Sequence, residues 1–415
     1  MEIVISIIKV IAIASAVLTL IPVMIWWERK GSAYIQDRRG PNRAHIFGIR
    51  LGGLIHNIAD VFKLLFKEDI IPEKAHKVLY VISPMIVLVV AVSILGVIPF
   101  AAPLNIDDYL LNFQIADLNI GVLYILAISS LGVYGAMLAG WSSSNSYSLL
   151  GGLRASAQMI SYEVAMGLAL IGVLMYSGSV KLDEIIVFQG TAFWDWNFLR
   201  QPIAFILFLV ALFAETNRNP FDLPEGESEI VGFHVEYSSM KFALFFMAEY
   251  AHIVVGSMIL VCLFVGGWQV PFLSTEDLVE YMPFILKVLC PADAVVMIFA
   301  GYKLAKRAGK FGWGDMRDYE PLIFGLIMLF GGIGIIVFVM LGGVNLFPEW
   351  MFEIFARIVQ MKIFLLKTLS VCWLFIWVRW TLPRFRYDQL MKLGWGVMVP
   401  LGLINVIITG FLLVR

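Results

Sequence analysis

Runs of about 20 apolar residues recur along the chain and predict membrane-spanning helices near 3–27, 78–100, 119–141, 162–180, 202–216, 240–267, 284–304, 321–343, 359–380 and 395–414. The first is too long for a signal peptide and lacks a small-residue cleavage site, so it reads as a retained span. A different pattern occupies part of the stretch from 28 to 77. Leu51, Leu54, Ile55, Ile58, Val61, Phe62 and Leu65 fall on one helical face, and His56, Asp60, Lys63 and Lys67 on another. This predicts an amphipathic helix along the membrane surface, either closing the bundle or forming the lip where an amphiphile leaves the lipid. The fold class is an all-α polytopic membrane protein of about ten transmembrane helices with that surface helix.

The basic residues test this layout, because cytoplasmic loops are enriched in Lys and Arg. With Lys241, Lys303 and Arg379 at span ends counted with the loops they adjoin, and Arg357 with its span, the odd-numbered loops hold 22 of them and the even-numbered loops only Lys181 and Arg200. An even number of spans follows, with both termini on the non-cytoplasmic side. Phe193, Trp194 and Trp196 in the fourth loop suit an interfacial aromatic belt.

Composition agrees and excludes several functions. The 415 residues are 60% hydrophobic and 15% charged, and spans with short loops leave no room for a sizeable soluble domain. A net charge of -1 without a dense basic run argues against a nucleic-acid partner. Cys262, Cys290 and Cys372 form no C-x-x-C pair that would hold an iron-sulfur cluster, and of five histidines only His252 lies within a span. Neither a Walker A sequence nor a G-x-G-x-x-G turn is present. Redox centres and nucleotide sites are therefore expected on other chains.

Ionisable groups inside spans are the informative exceptions, since each costs roughly 2.5–3.5 kcal/mol at the bilayer centre. Glu163 is expected to open the fourth span and Glu215 to close the fifth. Glu249 and His252 lie three apart on the sixth, so that the three carboxylates would form a proton or cation relay if they face one another. The plainer alternative is pairing with Arg154, Arg218 or Lys241, which fits Glu215 better than Glu249, whose neighbours are apolar. Lys362 and Lys367 in the ninth span read as counter-charges or snorkelling stems.

The fifth span runs into Glu215-Thr-Asn-Arg-Asn-Pro-Phe-Asp-Leu-Pro-Glu-Gly-Glu-Ser-Glu, an acidic loop that defies the positive-inside trend. Its prolines and glycine fix its path. It is expected to fold back and line a polar cavity, or to dock on a basic partner.

Several segments, taken together, carry a resemblance. They are Glu28-Arg-Lys-Gly-Ser-Ala-Tyr-Ile-Gln-Asp-Arg-Arg-Gly-Pro-Asn-Arg, Ile58-Ala-Asp-Val-Phe-Lys, Ser161-Tyr-Glu-Val, the loop from Glu215 to Glu229, Lys241-Phe-Ala-Leu-Phe-Phe-Met-Ala-Glu-Tyr, and Arg379-Trp-Thr-Leu-Pro-Arg-Phe-Arg-Tyr-Asp-Gln-Leu-Met. The chain resembles the H subunit of proton-pumping NADH:quinone oxidoreductase, respiratory complex I. The resemblance implies a subunit at the heel of the membrane arm, in a bacterial inner membrane. It would contact the hydrophilic arm, whose subunits carry FMN and iron-sulfur clusters, and the antiporter-like membrane subunits. Quinone would be the substrate, with no cofactor bound by this chain. It further implies that Arg38, Arg39 and Asp60 lie at the quinone chamber, and that Arg218, Asp222, Glu225, Glu227 and Glu229 lie in an acidic funnel leading from it. Glu163, Glu215 and Glu249 would carry protons onward. A charge change at the quinone would shift these coupled carboxylates together.

The chain departs from the family's usual eight spans by two helices. It divides into a family-like core at 1–270, with site loops at 28–77 and 215–240, a hairpin at 271–356 and a family-like end at 357–415. The hairpin is expected at the periphery, and its Asp293 has no assigned role. Two alternatives are the related membrane subunit of an energy-converting hydrogenase and a free-standing ion transporter. The intact Gln36-Asp-Arg-Arg-Gly-Pro-Asn-Arg loop favours the quinone enzyme, and the lack of internal repeats disfavours the transporter.

Overall fold

The computed structural model describes residues 2–106, 109–223, 231–308 and 316–414. It opens with α1 (Glu2–Ile35), the surface helix α2 (Ile55–Phe66) and α3 (Lys77–Ile94). A small antiparallel pair follows, β1 (Leu104–Ile106) with β2 (Tyr109–Leu111). Next come α4 (Gly121–Ser142), α5 (Ser146–Ser177), α6 (Leu182–Phe188), α7 (Asn197–Arg200), α8 (Pro202–Glu215) and α9 (Ser239–Phe264). The short α10 (Thr275–Glu280) leads into the hairpin α11 (Met282–Ala305) and α12 (Glu320–Met340). The chain finishes with α13 (Glu349–Thr381), α14 (Tyr387–Leu393) and α15 (Val399–Val414).

Among the described residues nine helices are long and apolar enough to cross a membrane, and α8 is a shorter apolar helix. All ten fall where the hydrophobic runs predict. At 14 residues α8 spans about 21 Å, less than the roughly 30 Å hydrocarbon core. Only Gln201 separates it from α7, and hydrogen bonds continue across the break, Gln201 N to Asn197 O at 2.8 Å and Phe205 N to Gln201 O at 3.0 Å.

The core is built around α9, which is 72% buried and carries α3, α8 and α13 against it. Its apolar residues point in all directions, as a helix enclosed on every side requires. The helix α2 behaves as its pattern predicts. Ile58, Val61, Phe62, Leu65 and Phe66 are exposed together, a face suited to lipid, while Ile55 and Asn57 in its first turn are buried.

One boundary differs in a way that matters for function. Sequence hydropathy places Glu163 at the start of a span, yet α5 begins at Ser146 and sets Glu163 near the middle of a 32-residue helix. The stretch from Ser146 to Ser161 is too polar and too rich in small residues to score as a span. Those small residues are what let the helix form there. A Cβ on Gly140 would meet Ser148 O at 2.6 Å, so α4 and α5 approach backbone to backbone at Gly140 and Gly152. Asn145 caps the helix by accepting from Tyr147 N at 2.9 Å.

Lys367 is neither a snorkelling stem nor the partner of an acid. Its ammonium donates to the carbonyls of Val265, Gly267 and Gln269 at 2.8, 3.1 and 2.9 Å and lies 4.1 Å from the ring centre of Trp196. It thus ties down the turn after α9, where Gly266 and Gly267 adopt positive φ and free backbone acceptors. Trp196 is buried there, outside the exposed aromatic pair Phe193 and Trp194.

The hairpin α11 and α12 lies at the periphery, each helix only 11% buried over its most apolar window. Its two helices close on Gly301 and Gly325, where a Cβ on either would meet the partner backbone at 2.7 Å. Asp293 pairs with Lys362 of α13 at 3.4 Å, and both side chains remain largely exposed. A second tie is buried. Arg50, ahead of α2, donates to Glu320 Oε2 at 2.8 Å and to Arg317 O at 3.0 Å, while Leu51 N donates to Glu320 Oε1 at 2.6 Å. Arg50 is 3% exposed and Glu320 8%.

Candidate functional site

The fold converges Glu163 from α5, Glu215 from the end of α8, and Glu249 and His252 from α9. All four line one internal cavity of about 40 Å³, together with Ser129 and Thr216. A buried water needs roughly 10–15 Å³ and two to four polar partners, so the cavity has room for a short chain of waters between the acids. An adjoining cavity of about 30 Å³ shares Ser129, Glu215, Thr216 and His252. Ser130 donates to Glu163, and Ser129 hydrogen-bonds Glu215.

Arg218 does pair with a carboxylate, but with Glu249 and not Glu215. Its guanidinium lies 3.2 Å from Glu249 Oε2, and the two side chains are 5% and 16% exposed. Apolar neighbours in sequence hid this, because they lie along α9 while Arg218 arrives from the loop beyond α8. Lys241 instead meets Asp69 at 2.8 Å. The described start of the loop folds back: Gln158 Nε2 donates to Ala214 O, Asn217 Oδ1 and Phe221 O, pulling residues 214–221 against α5. Glu225, Glu227 and Glu229 lie outside the described residues.

Beyond Glu249 the charges continue. Arg218 also lies over the ring of Tyr250 at 4.4 Å, Tyr250 donates to Glu28 Oε2 at 2.7 Å, and Glu28 accepts from Arg379 at 2.5 Å. Asp222 accepts from Arg384 at 3.0 Å. Three carboxylates (Glu28, Asp222, Glu249) thus face three guanidiniums (Arg218, Arg379, Arg384), a balance that makes burying them tolerable. Glu28 and Arg379 were not legible as site residues. Each stands at the end of a hydrophobic run, where a charge is ordinary; opposite signs at two span ends were the available signal.

Burial pushes the Asp222 carboxyl up to about 6, against the opposing pull of Arg384 and Arg379. Since the folded chain then binds more protons than the unfolded one between pH 4 and 6, the stability contributed by this group falls as pH rises through that window. Infrared difference spectra are expected to show a carboxyl band lost near pH 6. It should vanish in Asp222→Asn and move to higher pH by about one unit in Arg384→Gln. A native band unaffected by either change would refute the assignment.

The remaining expected residues separate. Asp60 meets Arg29 at 2.6 Å and Lys63 at 3.7 Å, which joins α2 to α1 one residue beyond Glu28. Arg38 is exposed and donates to Gln36 at 2.7 Å. Arg39 lines a cleft on a different flank of α1.

Among the described residues, nine lipid-length helices, with carboxylates from α5, α8 and α9 lining a small internal cavity, define an integral membrane protein that carries paired charge within its core. The family model described as NADH dehydrogenase matches residues 8–306 and 302–410, and the chain belongs to this family. It is 41% identical over 416 residues to the NADH-quinone oxidoreductase H subunit 1 of Solibacter usitatus, covering 98% of this chain and 96% of that one. Identity is 40% with NADH-quinone oxidoreductase subunit 8 of Rhodothermus marinus, over 95% and 93% of the two chains. With the NADH-quinone oxidoreductase H subunit 1 of Cytophaga hutchinsonii it is 39%, over 92% and 89%.

Proposed function

We propose that this chain is the quinone-site membrane subunit of an NADH-quinone oxidoreductase and couples quinone reduction to proton translocation. The observation that carries the reading is the shared cavity of Glu163, Glu215, Glu249 and His252, reached through an ionic chain from the loop end of α1. Reducing a quinone to a quinol consumes two electrons and two protons. A charge that appears and is neutralised beside Asp60 and Arg29 acts on Glu28, next in sequence. Glu28 shares its charge with Tyr250 and Arg379, and Arg218 divides its own between Tyr250 and Glu249. A weaker hold by Arg218 raises the proton affinity of Glu249, and the cavity passes the change to Glu215 and Glu163 as one linked titration.

In this reading the loops at 28–77 and 215–240 face the cytoplasm, as the alternation of Lys and Arg from loop to loop along the chain expects. They receive the hydrophilic arm with its FMN and iron-sulfur clusters, while the antiporter-like subunits accept protons beyond Glu163. Arg38, Asp60 and Asp222 contact the quinone path, with Glu225, Glu227 and Glu229 in its acidic funnel. The chain itself supplies no redox centre and resides in a bacterial inner membrane with both termini outside.

A photoactivatable quinone analogue added to the intact complex tests this. Labels competed by quinone are expected on Glu28, Arg29, Arg38, α2 and residues 215–223. Labels confined to 271–356 would overturn it.

A further inference from the structure

A large cleft of about 1060 Å³ lies away from the carboxylate cavity, between α1, the segment ahead of α2, the hairpin and α13. Its size exceeds the roughly 300–1,000 Å³ of pockets for drug-sized ligands. Among the described residues, Lys30, Arg39, Arg50 and Arg307 line it against a single acid, Glu320. Counting these groups at neutral pH leaves a net charge of +3 on its walls. Arg50 is engaged by Glu320 and the Arg317 carbonyl, so the pair forms a fixed floor. Lys30 comes from α1 and Arg307 from just beyond the end of α11.

The rest of the lining is apolar and aromatic, with Trp26, Trp27 and Trp373 on one side and Phe324 and Met328 of the hairpin on the other. Trp27 and Trp373 stack with ring centres 5.2 Å apart. A small soluble anion has no use for that surface. The hairpin beside it is exposed along most of its length, Phe299 and Phe330 included, so the apolar part of the cleft continues into a lipid-facing wall. A cationic mouth above a tryptophan-lined trough complements a molecule with a phosphate at one end and hydrocarbon at the other. The basic end also lies on the side that the Lys and Arg distribution assigns to the cytoplasm, where a membrane leaflet presents anionic headgroups.

We propose that this cleft is a binding site for one anionic phospholipid, whose phosphate sits among Lys30, Arg39 and Arg307 while its chains follow Trp26, Trp373 and Phe324. The lipid mortars the hairpin onto α1. Neither Asp60, Arg29 nor Asp222 lines the cleft, so the site is separate from the proposed quinone path. It rests on the membrane fold and not on the coupling mechanism.

The test uses the intact complex purified from its own membrane, stripped of lipid and resupplied with phosphatidylglycerol or phosphatidylcholine before native mass spectrometry. Phosphatidylglycerol is expected to be retained on this chain at least tenfold better than phosphatidylcholine, and Arg307→Glu to remove that preference. A photoactivatable phosphatidylglycerol on the unmodified complex should label α1, α12 or α13 at the cleft, which keeps the test independent of the variant's folding. Equal retention of both lipids would overturn the proposal. So would displacement by inorganic phosphate alone without acyl-chain labelling, labelling of the cleft by a quinone analogue instead, or a neighbouring subunit cross-linked in place of lipid.

Discussion

Glu249→Gln in the intact complex is expected to lower NADH-driven quinone reduction at least tenfold, and proton pumping with it, while assembly survives. The amide keeps the size and the acceptor that Arg218 faces at 3.2 Å but cannot exchange a proton at neutral pH. Positioned proton transfer is commonly worth a factor of 10²–10⁴, so a group that links loop and cavity should show at least the lower part of that range. Glu215→Gln should act in the same direction, because Glu215 lines both internal cavities. The effects of the two changes should fall short of multiplying, since coupled sites titrate as a unit. Reductase assays and a pH-sensitive dye in reconstituted vesicles read both quantities. Unchanged turnover and unchanged pumping in Glu249→Gln would remove it from the relay.

Glu320→Ala should release the hairpin from the rest of the chain. The change leaves Arg50 buried without its carboxylate and strips Leu51 N of its acceptor. Breaking one side of a buried pair typically costs about 3–5 kcal/mol. That energy is local, so the expected signature is faster hydrogen exchange in residues 46–54 and 317–325 and not general unfolding. The double change Arg50→Met with Glu320→Leu should recover much of the loss, because it removes the stranded charge along with the pair. Exchange in Glu320→Ala no faster than in the unchanged chain would mean that the contact contributes nothing to docking.

The positions of the helices were legible because lipid leaves the backbone no choice. A run of about 20 apolar residues must satisfy its own hydrogen bonds, and one sequence scan finds such runs. The amphipathic α2 was legible for a related reason, since its two faces meet two solvents. Legibility failed at Ser146–Ser161, where a buried helix built on glycine and serine looks polar to a hydropathy scan. Helix-helix contact there depends on small side chains, which carry no hydrophobic signal.

The candidate site divides along the same line. Glu163, Glu215, Glu249 and His252 stood out singly, as costly groups inside spans. Their convergence on one cavity, and the partner of each, could not be read, because they come from three helices separated by many tens of residues. Arg218, by sequence a partner that suits Glu215, belongs to Glu249. Glu28 and Arg379 meet across the whole length of the chain, and so do Arg50 and Glu320 across most of it.

The sequence by itself determined which segments enter the membrane, which residues could carry charge there and, through shared segments, the family to which the chain belongs. Those properties follow from the local cost of placing each residue in hydrocarbon. Only the tertiary structure decided which charges neutralise one another, where water-sized space remains, and that the hairpin encloses a cationic cleft. Such outcomes depend on Coulomb and packing energies that fall steeply with distance, and the distances are set by the folded chain.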